Sequence, residues 1–188
     1  MIRVAIADDH PAVRLGLHAA IRSEPGLVPV GSAADGAGLA PLLRTTDPDV
    51  VLLDYHLPDV DGLTLCRRIK AAPPAPAVIL YSGFADDAMT VPALVAGADG
   101  IVHKGVPPRE LFEAIRLVAG GGQALPPISQ PLLHAAGEAL AAEDLPVLAM
   151  LVDGTPPADI AGTLRIGPGE LRDRITRMLG CLRVPVPG

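Results

Sequence analysis

Residues 50–62 read Val50-Val51-Leu52-Leu53-Asp54-Tyr55-His56-Leu57-Pro58-Asp59-Val60-Asp61-Gly62. Four consecutive aliphatic residues suit a strand buried on both faces of a parallel sheet. The run ends abruptly on a carboxylate, crosses a loop punctuated by proline and glycine, and enters a helix-period stretch from Gly62 to Ala71. This is one β-α unit with a charged side chain at its hinge.

The same pattern repeats on both sides. Strands are predicted at Arg3–Ala7, Leu27–Ser32, Val50–Leu53, Ala77–Tyr81 and Gly100–His103. Helices are predicted at Pro11–Ser23, Gly36–Arg44, Gly62–Ala71, Asp87–Ala96 and Pro108–Ala119. Five alternating units imply an α/β domain, a doubly wound five-stranded parallel sheet of flavodoxin-like type, over residues 1–120. Pro92 falls in the fourth helix, where a missing N–H should shorten or kink it. Gly120-Gly121-Gly122 and Pro126, Pro127 and Pro131 then mark a linker, placed at 121–137. From 138 to 188 the pattern is helical only, with runs at Leu145–Val152, Ala158–Leu164 and Gly169–Leu182.

Composition narrows the function. The 188 residues are 49% hydrophobic and 19% charged, which is enough apolar material for a core and argues against disorder. No apolar run reaches membrane-span length, and acidic residues arrive by Asp8, so no signal peptide is expected and the location implied is cytoplasmic. Cys66 and Cys181 share no ligand-like spacing and imply neither a disulfide framework nor a zinc site. The net charge of −6 means that nucleic-acid binding would need a local basic patch.

In a doubly wound sheet, functional groups gather at the carboxyl ends of the strands. Here those ends carry Asp8-Asp9, Asp54, Ser82-Gly83 and Lys104. An Asp-Asp pair alone would read as a helix cap. Charged or hydroxyl groups at four neighbouring strand ends point instead to a site. Three close carboxylates repel one another, and a hard divalent cation such as Mg²⁺ relieves that conflict. A carboxylate can also act as a nucleophile and form an aspartyl-phosphate. Asp54, at the end of the middle strand, is then the acceptor, with Lys104 and Ser82 facing the phosphoryl oxygens. The histidines (His10, His18, His56, His103 and His134) are scattered, and none is expected to pair with a carboxylate at metal-ligand spacing.

With these residues in place, the chain resembles a two-component response regulator of the NarL/FixJ type. The resemblance rests on Asp8-Asp9, on Asp54 to Gly62 with Pro58 and Asp61, on Ser82, and on Ala98-Asp99-Gly100 leading to Lys104. It implies that a sensor histidine kinase phosphorylates Asp54. It also implies that Asp9, Asp54 and the backbone carbonyl of His56 bind Mg²⁺, while Asp8 acts through water. Receivers usually carry an aromatic residue three positions before the lysine; here that switch position is Ile101, which implies a conformational signal that is weaker or differently routed.

Residues 140 to 184 are similar to a LuxR-type helix-turn-helix, shortened and divergent, with a recognition helix starting at Pro168-Gly169. The resemblance implies DNA binding, transcription regulation and a homodimer on phosphorylation, with Gly169, Arg172, Arg174, Thr176 and Arg177 as candidate DNA contacts and Arg183 adding charge. Pro146 should delay the first helix of this domain, and a fourth helix expected after Val184 is replaced by Pro185-Val186-Pro187-Gly188. Against DNA stands the charge: from residue 121 onward Arg165, Arg172, Arg174, Arg177 and Arg183 face Glu138, Glu143, Asp144, Asp153, Asp159, Glu170 and Asp173. The alternative is a phosphorylation-controlled regulator whose degenerate output domain binds protein rather than DNA. A further rival, an enzyme or cofactor binder on the same fold, fits poorly: a flavin-phosphate loop needs small hydroxyl and glycine residues where Asp8-Asp9-His10 stands. The expectation is a regulator, not an enzyme.

Overall fold

The computed structural model describes residues 1–83 and 87–182. Its strands are β1 (Ile2–Ala7), β2 (Leu27–Ala33), β3 (Val50–Leu53), β4 (Ala77–Ser82) and β5 (Gly100–His103). They form one parallel sheet in the order β2-β1-β3-β4-β5, the doubly wound arrangement expected. The helices alternating with them are α1 (Pro11–Ser23), α2 (Gly36–Thr46), α3 (Gly62–Lys70), α4 (Thr90–Ala96) and α5 (Pro108–Ala119).

The buried strand runs explain the layering. Side chains of a strand alternate between its two faces. Val4, Ile6, Val50, Leu52 and Ile79 pack in one cluster with Leu17 and Ile21 of α1 and Leu111, Phe112, Ile115 and Val118 of α5. The intervening residues Ala5, Val51, Leu53, Val78 and Leu80 are equally buried and so point to the other face. α2 and α3 bring their own buried residues, Leu39 and Leu63, Leu65, Cys66 and Ile69. β1, β3 and β4 are thus covered on both sides, which is why they contain almost nothing polar.

Carboxylates set the starts of α2 and α3. Asp35 caps α2 by accepting from the Gly38 N–H, and Asp61 caps α3 by accepting from the Thr64 N–H at 2.8 Å. Asp59 reaches back from the β3–α3 loop to accept from the Gly36 and Ala37 N–H groups at 2.9 and 3.0 Å, which also holds its carboxyl below the usual range. The loop after Asp54 is therefore stitched to the first turn of α2.

β1–β5 with α1, α2, α3 and α5 make one compact unit. A second compact unit groups α4 with α6 (Gln130–Ala139), α7 (Leu145–Val152), α8 (Pro157–Leu164) and α9 (Pro168–Cys181). Two features differ from the sequence reading. α6 lies largely within the stretch read as linker: Pro131 sits in its first turn, where a missing N–H costs nothing. The helix expected at Asp87–Ala96 divides into a 3₁₀ turn, Asp87–Met89, and the short α4, with Pro92 again in a first turn. Pro146 behaves as expected, standing at the start of α7. In the second unit, Leu171, Ile175, Met178 and Leu179 form the buried stripe of α9, while Val147, Leu148 and Ile160 are its buried counterparts on α7 and α8. Arg183 and the stretch from Pro185 to Gly188 lie outside the described residues. Among the described residues no helix is long and apolar enough to cross a membrane.

Gly62 opens α3 against the backbone of β3's terminal loop. Its N–H donates to the Tyr55 carbonyl at 2.7 Å, and a Cβ there would stand 2.6 Å from the Asp54 carbonyl oxygen. A methyl group cannot be accommodated without moving that backbone, so Gly62→Ala is expected to cost about 1–3 kcal/mol. Urea unfolding followed by circular dichroism should show a lowered midpoint at unchanged slope.

Candidate functional site

Parallel pairing brings four strand ends to one edge of the sheet. Asp8 follows β1 and Asp54 follows β3, and the Asp54 N–H donates to the Ala7 carbonyl at 2.7 Å, so the two carboxylates stand side by side. Ser82 closes β4 opposite His103 of β5, and the Lys104 N–H donates to the Ser82 carbonyl at 2.9 Å. Asp8, Asp54 and Ser82 are buried, whereas Asp9 is exposed.

Lys104 bridges the carboxylates. Its Nζ lies 2.7 Å from Asp54 Oδ2 and 2.7 Å from Asp8 Oδ2. Asp54 Oδ1 accepts from the His56 N–H at 3.3 Å, and Asp8 Oδ1 accepts from the His10 N–H at 2.8 Å. Burial pushes the Asp54 carboxyl above its ordinary range; Lys104 opposes this, while the Asp8 charge adds to it. Burial pulls the Lys104 ammonium down, but its contacts with Asp54 and Asp8 outweigh that and hold it above its ordinary value. The two shifts differ in origin: loss of solvent dominates at Asp54, and contact with two carboxylates dominates at Lys104. Asp8 Oδ2 is buried and meets the lysine charge without a well-directed hydrogen bond, which leaves it able to accept more.

The donor set suits a hard cation. Asp8, Asp9, His10 and Asp54 each offer one ligand atom, all within 4.8 Å of one another. Carboxylate oxygens at this spacing favour Mg²⁺. His10 corrects the sequence reading, which paired no histidine with a carboxylate: its Nδ1 lies 2.5 Å from Asp9 Oδ1 and 3.4 Å from Asp8 Oδ1. The chain turns at His10 to start α1, and that turn folds the ring back over the preceding two side chains. The available signal was simple adjacency, Asp8-Asp9-His10.

The structure places Ile101 in β5 opposite Leu80, buried and aliphatic, with Val102 turned to the α1–α5 face. His56 lies at the rim, its backbone bridged to Asp61. Ser82, Lys104, Asp8 and Asp54 come together as read; Asp9 joins them from the exposed side.

The profile of the response regulator receiver domain matches residues 4–116. This chain is a response regulator. It is similar over nearly its whole length to the transcriptional regulatory protein LiaR of Bacillus subtilis, with 30% identity covering 98% of this chain and 92% of that protein. The nitrate/nitrite response regulator protein NarL of Escherichia coli is 27% identical, covering 94% and 87%. Among solved structures, a LuxR-family two-component response regulator from Aurantimonas superposes with a TM-score of 0.63 at 34% identity, covering 71% of this chain and 96% of that one. RcsB from Salmonella enterica serovar Typhimurium, bound to promoter rprA in the presence of phosphomimetic BeF₃⁻, does so with a TM-score of 0.63 at 26% identity, covering 99% and 94%.

The regulator's helical unit distributes its arginines unevenly. Arg174 Nη1 donates to the Glu143 carbonyl at 3.0 Å, and its Nη2 pairs with Glu170 at 2.8 Å. Arg177 pairs with Glu143 at 3.0 Å and with the buried Asp144 at 3.2 Å. Thr176 Oγ1 donates to the Arg172 carbonyl at 2.9 Å. Arg172 is exposed, and no ion pair engages it among the described residues. Gly169 leaves the first turn of α9 open, with Arg172 Nη2 beside it at 3.7 Å from the position of a Cβ.

Because Asp54's pKa is raised in the fold, its charge opposes folding: stability present below the unfolded carboxyl value is lost as pH rises through the folded one. Asp54→Asn should therefore melt a few degrees higher than wild type at pH 7 in metal-free buffer. Adding millimolar Mg²⁺ should raise the wild-type melting temperature and leave that of Asp54→Asn nearly unchanged. Equal Mg²⁺ shifts in the two proteins would refute the assignment of Asp54 to the cation site.

Proposed function

We propose that this regulator takes a phosphoryl group from a sensor histidine kinase onto Asp54 and that the modification controls DNA binding by the helical unit. The observation that carries this reading is the bridged pair, Asp54 and Asp8 on one lysine at 2.7 Å each, buried at the strand ends. In the transfer, one Asp54 Oδ attacks phosphorus, a P–O bond forms and the P–N bond of a phosphohistidine breaks. The departing imidazole nitrogen keeps the electron pair and takes a proton from solvent. Hydrolysis reverses the modification: water attacks phosphorus, the P–O bond to Asp54 breaks, and the carboxylate and inorganic phosphate are released.

Lys104 is the group best placed to follow the new charge. In the unmodified protein it is shared between two carboxylates; an incoming phosphoryl oxygen offers it a stronger partner. The Ser82 hydroxyl supplies a second donor. Asp9, Asp54 and the His56 backbone carbonyl would hold Mg²⁺, with Asp8 acting through water, and the ion would neutralise charge on the phosphoryl oxygens. Phosphorylation shifts an equilibrium between inactive and active arrangements, and Ile101, which has no large ring to swing, makes that signal weaker or differently routed. We assign residues 1–120 to the receiver, 121–137 to the connection, into which α6 extends, and 138–188 to the output domain. A cytoplasmic regulator rather than an enzyme, and a homodimer once phosphorylated, complete the proposal.

DNA binding by the acidic helical unit would fall on α9. With Arg174 and Arg177 engaged internally, Arg172, Thr176 and the open turn at Gly169 are the groups available to phosphates and bases.

Two measurements test this. With a small phosphodonor and Mg²⁺, mass spectrometry should find one phosphate on wild type and none on Asp54→Ala; equal labelling would sink the site assignment. Fluorescence anisotropy of labelled promoter DNA should show salt-sensitive binding that strengthens with beryllofluoride. Arg172→Ala should weaken it at all sequences and lower the salt slope by about 1. Absence of binding in both states would assign the output to a protein partner instead. Arg177→Ala is expected to cost about 1–3 kcal/mol of stability, because it leaves the buried Asp144 uncompensated.

A further inference from the structure

His103 ends β5 with its side chain exposed, yet both ring nitrogens are engaged. Nδ1 accepts from the Gly105 N–H at 2.9 Å, so Nδ1 carries no proton and the neutral ring is protonated on Nε2. Nε2 lies 2.9 Å from the Gly83 carbonyl and donates to it. Gly83 directly follows Ser82, and Gly105 directly follows Lys104. One imidazole thus spans the two loops that present the hydroxyl and the ammonium to the Asp54 site.

Two further observations belong with this bridge. A Cβ on Gly105 would stand 2.9 Å from His103 Nδ1 and 3.1 Å from its Cε1, so a glycine at 105 leaves the ring its seat. Next, the backbone already joins the same two segments one step inward, where the Lys104 N–H meets the Ser82 carbonyl at 2.9 Å. The β-ladder ends there, and His103 continues the connection beyond the last pair of the sheet. Ile101, two residues earlier on the same face of β5, is buried and offers no polar group for such a tie.

We propose that His103 is a positioning residue for phosphoryl transfer at Asp54, clasping the Ser82–Gly83 and Lys104–Gly105 loops so that both phosphoryl-binding groups are held in register. The proposal rests on the reading of Asp54 as the acceptor. Its physical content is preorganisation: donors fixed before the reaction need not be ordered during it. The clasp touches no reacting atom. It acts on the maximal rate rather than on capture of the donor.

The experiment uses the full chain, phosphoramidate as donor and Mg²⁺, with phosphorylation of Asp54 followed by mass spectrometry over a range of donor concentrations. His103→Leu should lower the maximal rate about tenfold, corresponding to about 1.4 kcal/mol, with the donor half-saturation unchanged within about twofold. Gly105→Ala, which evicts the ring while keeping it in the chain, should reproduce that loss. His103→Gln carries an acceptor and a donor on one side chain and should recover most of the rate. Nitrogen NMR of the wild type should show His103 Nδ1 unprotonated and Nε2 protonated.

A purely structural role would lower melting temperature in all three variants without this ranking of rates. Wild-type rates in both His103→Leu and Gly105→Ala would overturn the clasp, as would the opposite tautomer. If His103→Leu does not fold, Gly105→Ala and His103→Gln decide the matter between them. Failure of the wild type to take phosphate on Asp54 would instead refute the underlying reading, and is seen before any variant is compared.

Discussion

One ammonium held between two buried carboxylates is the constraint on which the rest of the receiver unit depends. Lys104 meets Asp8 and Asp54 at 2.7 Å each, and Asp9 adds a further negative charge at the rim. Removing charges from water is costly, and one cation does not balance three carboxylates. The carboxyl at Asp54 is raised chiefly by its burial, and the ammonium at Lys104 by the two carboxylates that hold it. A protein gains nothing in stability from such an arrangement. It concentrates negative charge that a divalent cation would relieve.

The surrounding structure holds that arrangement in place. The buried aliphatic runs of β1, β3 and β4 leave no freedom in where Asp8, Asp54 and Ser82 emerge, because a shift of one residue would reverse the facing of every side chain. Asp59 and Asp61, capping α2 and α3 from the loop that follows the acceptor, fix that loop at two points. Gly62 then lets α3 approach the acceptor's own backbone. The acidic residues of this stretch thus divide their labour: Asp54 supplies a buried carboxylate to the site, and Asp59 and Asp61 keep the loop around it in shape.

How much of this was legible beforehand follows from where the information lies. Strand runs such as Val50–Leu53 are local and apolar, so the strands could be read directly; their order, and with it the convergence of Asp8, Asp54, Ser82 and Lys104 on one edge, followed from the doubly wound flavodoxin-like pattern. His10 could not be read from spacing rules, since its contact depends on the backbone turn into α1. α6 was hidden because Gly120–Gly122 and Pro126, Pro127 and Pro131 signal a break, and nothing in composition says that the last proline begins a helix rather than preventing one. The double engagement of His103 was equally invisible: it needs β4 and β5 paired before Gly83 comes within reach.

The helical unit poses the opposite problem, since its charges are few and already partly spent. Arg177 answers the buried Asp144, and Arg174 ties α9 to the turn at Glu143. An arginine that leaves a buried carboxylate to meet a DNA phosphate must first repay the desolvation of the partner it abandons. These two residues are therefore poor phosphate contacts, although by sequence alone they are indistinguishable from Arg172. Counting basic residues along α9 overstates its electrostatic reach. The balance of five arginines against seven acids beyond residue 120 understates the local order, because the acids nearest α9 are those consumed in building it. What remains outward on that helix is a short, nearly neutral surface with Arg172 at its start. Such a surface gives DNA little non-specific attraction, so its affinity has to come from correctly seated contacts.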